Sequence, residues 1–375
     1  MSRARWLLLL LAILSFSLAI YRLDSQSLWY DEGVSVYLTR LSLPELTWWT
    51  AEDIQPPLYY YLLYFWVRAA GRSEFSLRFL SLFFGVLMVP ATWGVAAKLL
   101  GKKAGLLAAS FTALSPLYLW YSREARMYTM LTFLCLLSLR LFLEIRDKGS
   151  STPLLSAWIG ALIASLYTHY FAAFVMASLT LMALWTLAEG KAKVAIRLLL
   201  GEAAALALYL PWLPPLLKRY RVDVSYWEGT LKIGEALRKL FISFSVGETM
   251  LEARATPIAW AAAITFLLSL LLLAFRRRKA ALLLALYFFV PLVAILALTY
   301  RSPKFNPRYL MLVSPAFFMV IAGAIAEIPK PLPLAILPLA LCPLILSDYN
   351  LHFDPAFTKP DFRGVARYIQ KHKQP

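Results

Sequence analysis

Four apolar runs decide what this chain can fold into. Residues 6–20, 77–97, 258–275 and 280–298 are long and nearly free of charge. Each approaches the roughly 20 apolar residues that a helix needs to cross a bilayer. Lipid offers backbone groups no hydrogen bonds, so such segments must be helical and satisfy their own N–H and C=O groups. Composition agrees, with 61% hydrophobic and 16% charged residues, against roughly half and a quarter in a soluble domain. The expected class is an all-α polytopic membrane protein.

A net charge of +17 raises the question of nucleic acid. The basic residues fall between apolar runs, as in "GKK" (101–103), "KAK" (191–193) and "RRRK" (276–279). That is the pattern of cytoplasmic loops facing anionic lipid, and it excludes nucleic acid as a partner class. Cys135 and Cys342 both lie in apolar runs and read as small buried hydrophobes, with no framework for a disulfide or zinc. The N-terminus resembles a signal peptide, but Ser17-Leu18-Ala19 is only a loose cleavage site. The expectation is an uncleaved first helix with a cytoplasmic N-terminus in the plasma membrane.

The stretch 56–71 begins at two prolines and has a short apolar core, which reads as an interfacial helix. Parity supports this reading. If 56–71 does not cross, the basic loops at 98–103, 146–148, 189–197, 276–279 and Lys330 share one side with Arg3 and Arg5. The run 154–187 is too long for one crossing and should hinge near Thr168-His169-Tyr170. About eleven spans follow, starting near 5, 78, 104, 127, 154, 171, 198, 257, 280, 309 and 332. The membrane domain should cover 1–347, with a first extracytoplasmic loop at 23–77, a second long loop at 218–256 and a tail at 348–375. Within the second loop, 231–244 has the 3–4 spacing of an amphipathic, surface-lying helix.

Asp24, Asp31, Glu32, Glu45, Glu52, Asp53, Glu74 and Glu124 all precede the fourth span on the outer side. The topology rule is nearly blind to acids, so they need another explanation. Asp31 reads either as the N-cap of a helix starting at Glu32 or as a general base at the membrane surface. Asp53 reads equally as a cap for the helix after "PP". "SREARMY" places Arg123, Glu124 and Arg126 in a very short outer turn, where the topology rule disfavours Arg. "RSPKFNPRY" repeats this with Arg301, Lys304 and Arg308. Headgroup pairing is the bland reading; a grip on an outer-leaflet phosphate is the sharper one. His169 alone reads as a satisfied helix-end histidine. Acids and cations outside, with no nucleotide motif, suit chemistry on a sugar carried by a polyprenyl phosphate. Phosphate is a tolerable leaving group, so one base and a set of cations suffice.

"LWYDEG", "D-x-x-PPLYYYLL" from Asp53, "SLRFLSLFFG", "LSPLYLWYSREARMYTM", "YTHYFA" and "NPRYLMLVSP" occur in this order. As an ordered set they resemble bacterial and archaeal members of glycosyltransferase family 39, related to the protein O-mannosyltransferases and the lipid A aminoarabinose transferases. The resemblance implies a GT-C fold and inverting sugar transfer from polyprenyl phosphate on the extracytoplasmic face. It implies Asp31 as catalytic base, with Glu32 completing the acidic pair. It places Asp53 and Glu124 near the acceptor or a metal, and Arg126, Tyr128, Arg308 and Tyr309 near the lipid phosphate. Arg123 and Lys304 join the phosphate set, and His169 the acceptor or metal set, from the outer-loop reading. Gln55 stands where many relatives have His, and many relatives continue beyond "KPDFRGVARYI" into a further domain. No cofactor is assigned; metal dependence differs among relatives, so a divalent ion stays open. The sugar stays open too, as does an acceptor that is lipid, glycan or protein. A lipid flippase and an inactive assembly subunit are the competing readings; few charges inside the spans argue against transport.

Overall fold

The computed structural model describes residues 3–53, 55–149, 151–222, 230–300, 305–329 and 331–372. Among these residues the secondary structure is helical throughout, without a strand. α1 (Arg3–Ile20) leads into a first loop that holds α2 (Tyr30–Leu38), α3 (Leu43–Glu52) and α4 (Leu58–Ala70). A hairpin of α5 (Glu74–Leu100) and α6 (Lys102–Ala113) precedes the short α7 (Pro116–Ser122). Then come α8 (Tyr128–Lys148), α9 (Thr152–Thr168), α10 (Ala172–Ala188) and α11 (Ala192–Tyr209). The second loop carries α12 (Leu213–Val222) and α13 (Ile233–Val246). α14 (Glu252–Arg276), α15 (Arg278–Thr299), a 3-10 stretch Pro307–Val313, α16 (Ser314–Glu327) and α17 (Leu332–Phe353) follow, with α18 (Phe362–His372) last.

Local sequence explains the joints. Ser73 caps α5 by accepting the Ser76 N–H at 3.1 Å. Gly101, at φ +93°, ends α5 and turns the chain straight into α6. Gly105 lets the two helices touch, since a Cβ there would lie 2.9 Å from the Ala97 Cβ. α16 is the centre of the bundle, with residues 314–325 all buried. α1 is the reverse: it buries Ser15 and Ala19 and leaves Leu7, Leu10 and Ile13 facing outward, as lipid permits.

Among the described residues, eight helices are long and apolar enough to span on their own; the expected eleven also include the segments starting near 104, 154 and 171, which are built from shorter helices. The difference has two causes. The segment expected from 104 breaks at Ser115-Pro116 into α6 and α7, because the residue before proline avoids helical geometry. The run 154–187 does hinge at His169, but each half is a 17-residue helix. At 1.5 Å per residue that is about 25 Å, the short end of spanning lengths, and each half runs from the basic-loop end to the site end. The chain is a multi-pass membrane protein. α4, with 13 residues, buries Tyr59, Tyr60, Leu63 and Val67 along one face. α13 buries Ala236, Leu240, Phe241 and Phe244 in the same way. Neither is among the spanning helices.

Neither capping alternative holds. α2 starts at Tyr30, so Asp31 sits inside its first turn, and Glu32 accepts the Trp29 N–H instead (3.4 Å). Asp53 ends α3, while α4 begins only at Leu58 behind Pro57. α17 runs to Phe353, and the segment after it begins at Asp354.

The basic loops meet at one end of the bundle. Lys98 pairs with Asp147 (2.7 Å), Arg146 with Glu189 (2.6 Å), and Lys279 with the same Glu189 (2.9 Å). Arg277 pairs with Glu327 (2.7 Å), and Lys103 donates to the Ala326 carbonyl (3.2 Å). The first loop, the turn between α7 and α8, the α9–α10 hinge, α13 and the segment after α17 gather at the other end, through the contacts described next.

Candidate active site

The site is built on a buried ion pair. Arg78, on α5, grips Glu32 with two parallel bonds, Nε to Oε1 at 2.8 Å and Nη2 to Oε2 at 2.9 Å. Its other N–H groups reach the carbonyls of Leu23 (2.8 Å), Gln26 (2.8 Å) and Ser27 (3.0 Å). All five guanidinium donors are thereby used. Glu32 also accepts the Ala125 N–H at 2.9 Å, tying the first loop to the α7–α8 turn. Burial opposes ionisation of Glu32, but Arg78 and Lys359 outweigh it and hold the carboxyl below its usual range. Glu32 therefore sits beside Asp31 in sequence but turns away from it into the protein.

Asp31 points the other way. Its Oδ2 accepts from Arg308 Nη1 at 3.2 Å. The Arg308 guanidinium lies among the rings of Trp29 (5.8 Å), Tyr128 (5.3 Å) and Tyr309 (5.8 Å). Arg126 is buried; its Nη1 donates to the Tyr60 hydroxyl (3.0 Å) and lies 3.5 Å from the Asp31 carbonyl. Asp53 is close enough to bear on the Tyr60 phenol electrostatically.

His169 closes this group. Its ring lies 6.1 Å from that of Tyr128 and 6.4 Å from that of Tyr309. Nδ1 accepts the Phe171 N–H at 3.1 Å, so in the neutral ring the proton is on Nε2. Burial, and then the charges of Arg126 and Arg308, push its pKa down to about 3, so the ring is neutral at physiological pH. Among the described residues, Arg126 Nε, Arg308 Nε and His169 Nε2 are buried donors without an acceptor. Three such groups in one neighbourhood are costly unless an anion or other acceptor joins them.

Arg308 also lines a cavity of about 620 Å³. Trp29, Trp120, Tyr121 and Glu124 form one wall, α13 and Glu248 a second, and residues 356–360 a third. Glu124 is buried, and its Oε1 accepts from Lys359 Nζ at 2.8 Å. Burial raises its carboxyl despite the Lys359 charge.

Of the sequence-selected residues, Asp31, Arg126, Tyr128, His169, Arg308 and Tyr309 are brought together, with Glu124 on the adjoining cavity wall. Arg123 is not with them. Its guanidinium is spent on the Arg22 carbonyl (2.8 Å) and on His352 Nδ1 (2.9 Å). Lys304 and Arg301 lie outside the described residues. Sequence reasoning gave no role to Arg78, Glu248, Trp120 or Lys359. Among the described residues no three His, Cys, Asp or Glu side chains converge to hold a metal ion. Two of the site carboxylates face cations instead, Asp31 on Arg308 and Glu124 on Lys359.

Residues 54–214, less than half of the chain, match the family model of the dolichyl-phosphate-mannose-protein mannosyltransferases. No curated protein sequence matches. ArnT from Cupriavidus metallidurans bound to undecaprenyl phosphate is similar at TM-score 0.63 and 15% identity, over 91% of this chain and 63% of that one. The oligosaccharyltransferase AglB from Archaeoglobus fulgidus, in complex with an inhibitory peptide and a dolichol-phosphate, is similar at TM-score 0.61 and 13% identity, over 99% of this chain and 58% of that one. The chain thus spans about three-fifths of the length of these structures. Identities this low speak for the fold. The chain has the GT-C fold of membrane glycosyltransferases and, over residues 54–214, resembles the mannosyltransferases of glycosyltransferase family 39.

Proposed function

We propose that the protein is a membrane glycosyltransferase that moves a sugar from a polyprenyl-phosphate donor to an acceptor hydroxyl or amide, with Asp31 as general base. The observation that carries this is the pairing of Asp31 with Arg308 beside three buried donors that have no acceptor, Arg126 Nε, Arg308 Nε and His169 Nε2. A phosphodiester oxygen satisfies such donors, and the planar guanidinium groups match it in charge and geometry.

Asp31 takes the proton of the acceptor as its oxygen or nitrogen attacks the anomeric carbon. The carbon–oxygen bond to phosphate breaks on the opposite side, and the phosphate leaves with the electron pair. Arg126, Arg308 and the neutral His169 N–H stabilise that charge as it develops. One displacement inverts the anomeric carbon. A second feature supports a lipid-linked donor. α13 presents Ile242 and Ser243 to the polar cavity, and Phe244 and Ser245 to an apolar groove of about 350 Å³ beside α14, α16 and α17. An isoprenoid tail in that groove would place its phosphate at the cavity. Basic loops clustered at the far end support an extracytoplasmic site in the plasma membrane.

The test is transfer from a panel of radiolabelled polyprenyl-phosphate sugars, using purified protein in lipid with a mixed lipid, glycan and protein acceptor extract. Asp31→Asn should lower the rate by about 10²–10⁴, the usual worth of a general base, without changing the melting temperature. A mutant with full activity removes Asp31 from the role. No transfer by wild type, together with lipid movement between leaflets, moves the reading to a flippase.

A further inference from the structure

The segment after α17 crosses back over the first loop and is fastened there at several points. Ser27 Oγ donates to the Pro360 carbonyl (2.9 Å) and accepts the Phe362 N–H (3.0 Å). The Lys359 N–H reaches Gln26 Oε1 (3.3 Å). Arg363 pairs with Glu74 and donates to the Asp24 carbonyl (3.0 Å). The effect of this strap is to carry one ammonium group into the cavity wall. Lys359 Nζ lies 2.8 Å from Glu124 Oε1, 3.9 Å from Glu32 Oε2, and 5.7 Å and 5.2 Å from the rings of Trp29 and Trp120.

We infer that Lys359 and Glu124, set between the indoles of Trp29 and Trp120, form the subsite that binds hydroxyl groups of the donor sugar. This deepens the lipid-linked-sugar reading and rests on it. Phosphate is the competing ligand, and local charge disfavours it. Lys359 already faces two carboxylates, and Glu124 Oε2 is a buried oxygen on the cavity wall with no donor among the described residues. That oxygen would repel an anion. It suits an O–H donor, just as the ammonium suits an O–H acceptor. A pair offering both, flanked by two apolar ring faces, matches a sugar ring with adjacent hydroxyls and an apolar C–H face. Position agrees as well. Trp29 lies 5.8 Å from the Arg308 guanidinium and 5.7 Å from Lys359, so it borders both the proposed phosphate site and this subsite. A sugar joined directly to that phosphate reaches both.

Binding separates the two ligands. Purified protein in lipid discs is titrated with bare undecaprenyl phosphate and with a panel of undecaprenyl-phosphate sugars. Wild type should bind at least one sugar lipid more tightly than the bare phosphate. Lys359→Met and Glu124→Gln should each weaken that sugar lipid by about tenfold or more, the effect of losing hydrogen bonds to charged groups. Affinity for the bare phosphate should stay within about twofold of wild type, as expected when one contact is lost and the others stand. Glu124→Gln is isosteric and keeps an oxygen for Lys359, so it gives an answer even where Lys359→Met does not fold. Equal weakening of both ligands makes Lys359 a phosphate ligand and overturns the proposal. Unchanged affinity for the sugar lipid overturns it too. If wild type favours no sugar lipid over bare phosphate, the donor reading itself falls, and the subsite with it. In transfer assays the subsite variants should raise the donor KM, whereas Asp31→Asn lowers kcat, so the two failures are distinguishable.

Discussion

Ion pairs are built differently at the two ends of the bundle. At the basic-loop end, Lys98 pairs with Asp147 and Lys279 with Glu189, each pair including a side chain that solvent reaches. At the site end, Glu32 and Arg78 are fully enclosed, and every guanidinium N–H has an oxygen. An exposed pair gains little because water competes for both charges. A buried pair has already given up its hydration, so its value appears as intolerance of any missing partner. One end holds loops loosely together, while the other fixes a backbone. The backbone fixed is the one that presents Asp31 and the α7–α8 turn.

The largest effect should therefore come from Glu32 and Arg78, which do not line the cavity of about 620 Å³. Glu32→Ala leaves Arg78 charged, buried and short of acceptors, and should cost about 3–5 kcal/mol. Replacing both partners with apolar residues often restores stability when only a pair is involved. Here it should not, because three loop carbonyls also depend on Arg78. Melting of Glu32→Ala, Arg78→Met and the double variant in one detergent decides this. A double variant as stable as wild type would reduce the cluster to an ordinary pair.

What could be read ahead of the structure divides along the same line. The apolar runs, the break at His169 and the two interfacial helices are local, and length or 3–4 spacing reveals them. The division of the segment from 104 into two helices also has a local cause, since Ser115-Pro116 is a visible break inside an apolar run. The Glu32–Arg78 pair joins positions 46 residues apart, and Lys359 meets Glu124 across 235. No periodicity encodes such distances. A signal did exist for Arg78, a charge at the start of the apolar run 77–97, which calls for a partner. The division of labour between adjacent Asp31 and Glu32 was hidden, because direction around a helix turn depends on where the helix starts.

A smaller effect should appear at His169. Its folded pKa of about 3 lies below the ordinary 6.5, so the unfolded chain binds the extra proton first as pH falls. His169 thus costs no stability above pH 6.5 and progressively more as pH drops towards 3. The loss should reach about 1 kcal/mol by pH 5.5, from 1.36 kcal/mol per pH unit once the unfolded group is protonated. His169→Asn should flatten the fall in melting temperature between pH 7 and 5.5 relative to wild type. Identical slopes would mean that the ring takes its proton in the folded protein, against the positive field of Arg126 and Arg308.

The smallest effect belongs to the basic-loop end. Lys98 sits between Asp147 (2.7 Å) and Glu144 (3.6 Å), and Glu144 in turn holds Arg140 and Lys148. Removing Lys98 leaves Glu144 with two cations and Asp147 with access to solvent, so no buried charge is stranded. Lys98→Met should cost about 0.2–1 kcal/mol at low salt. The cost should shrink further at 1 M salt, where the screening length is about 3 Å. The Glu32→Ala penalty should hardly move over the same salt range, since ions do not reach that pair. Parallel salt titrations of the two variants put the contrast between the ends on one axis. Equal salt sensitivity would show that water reaches the Glu32–Arg78 pair, and the first loop would then lack the rigid anchor that aims Asp31.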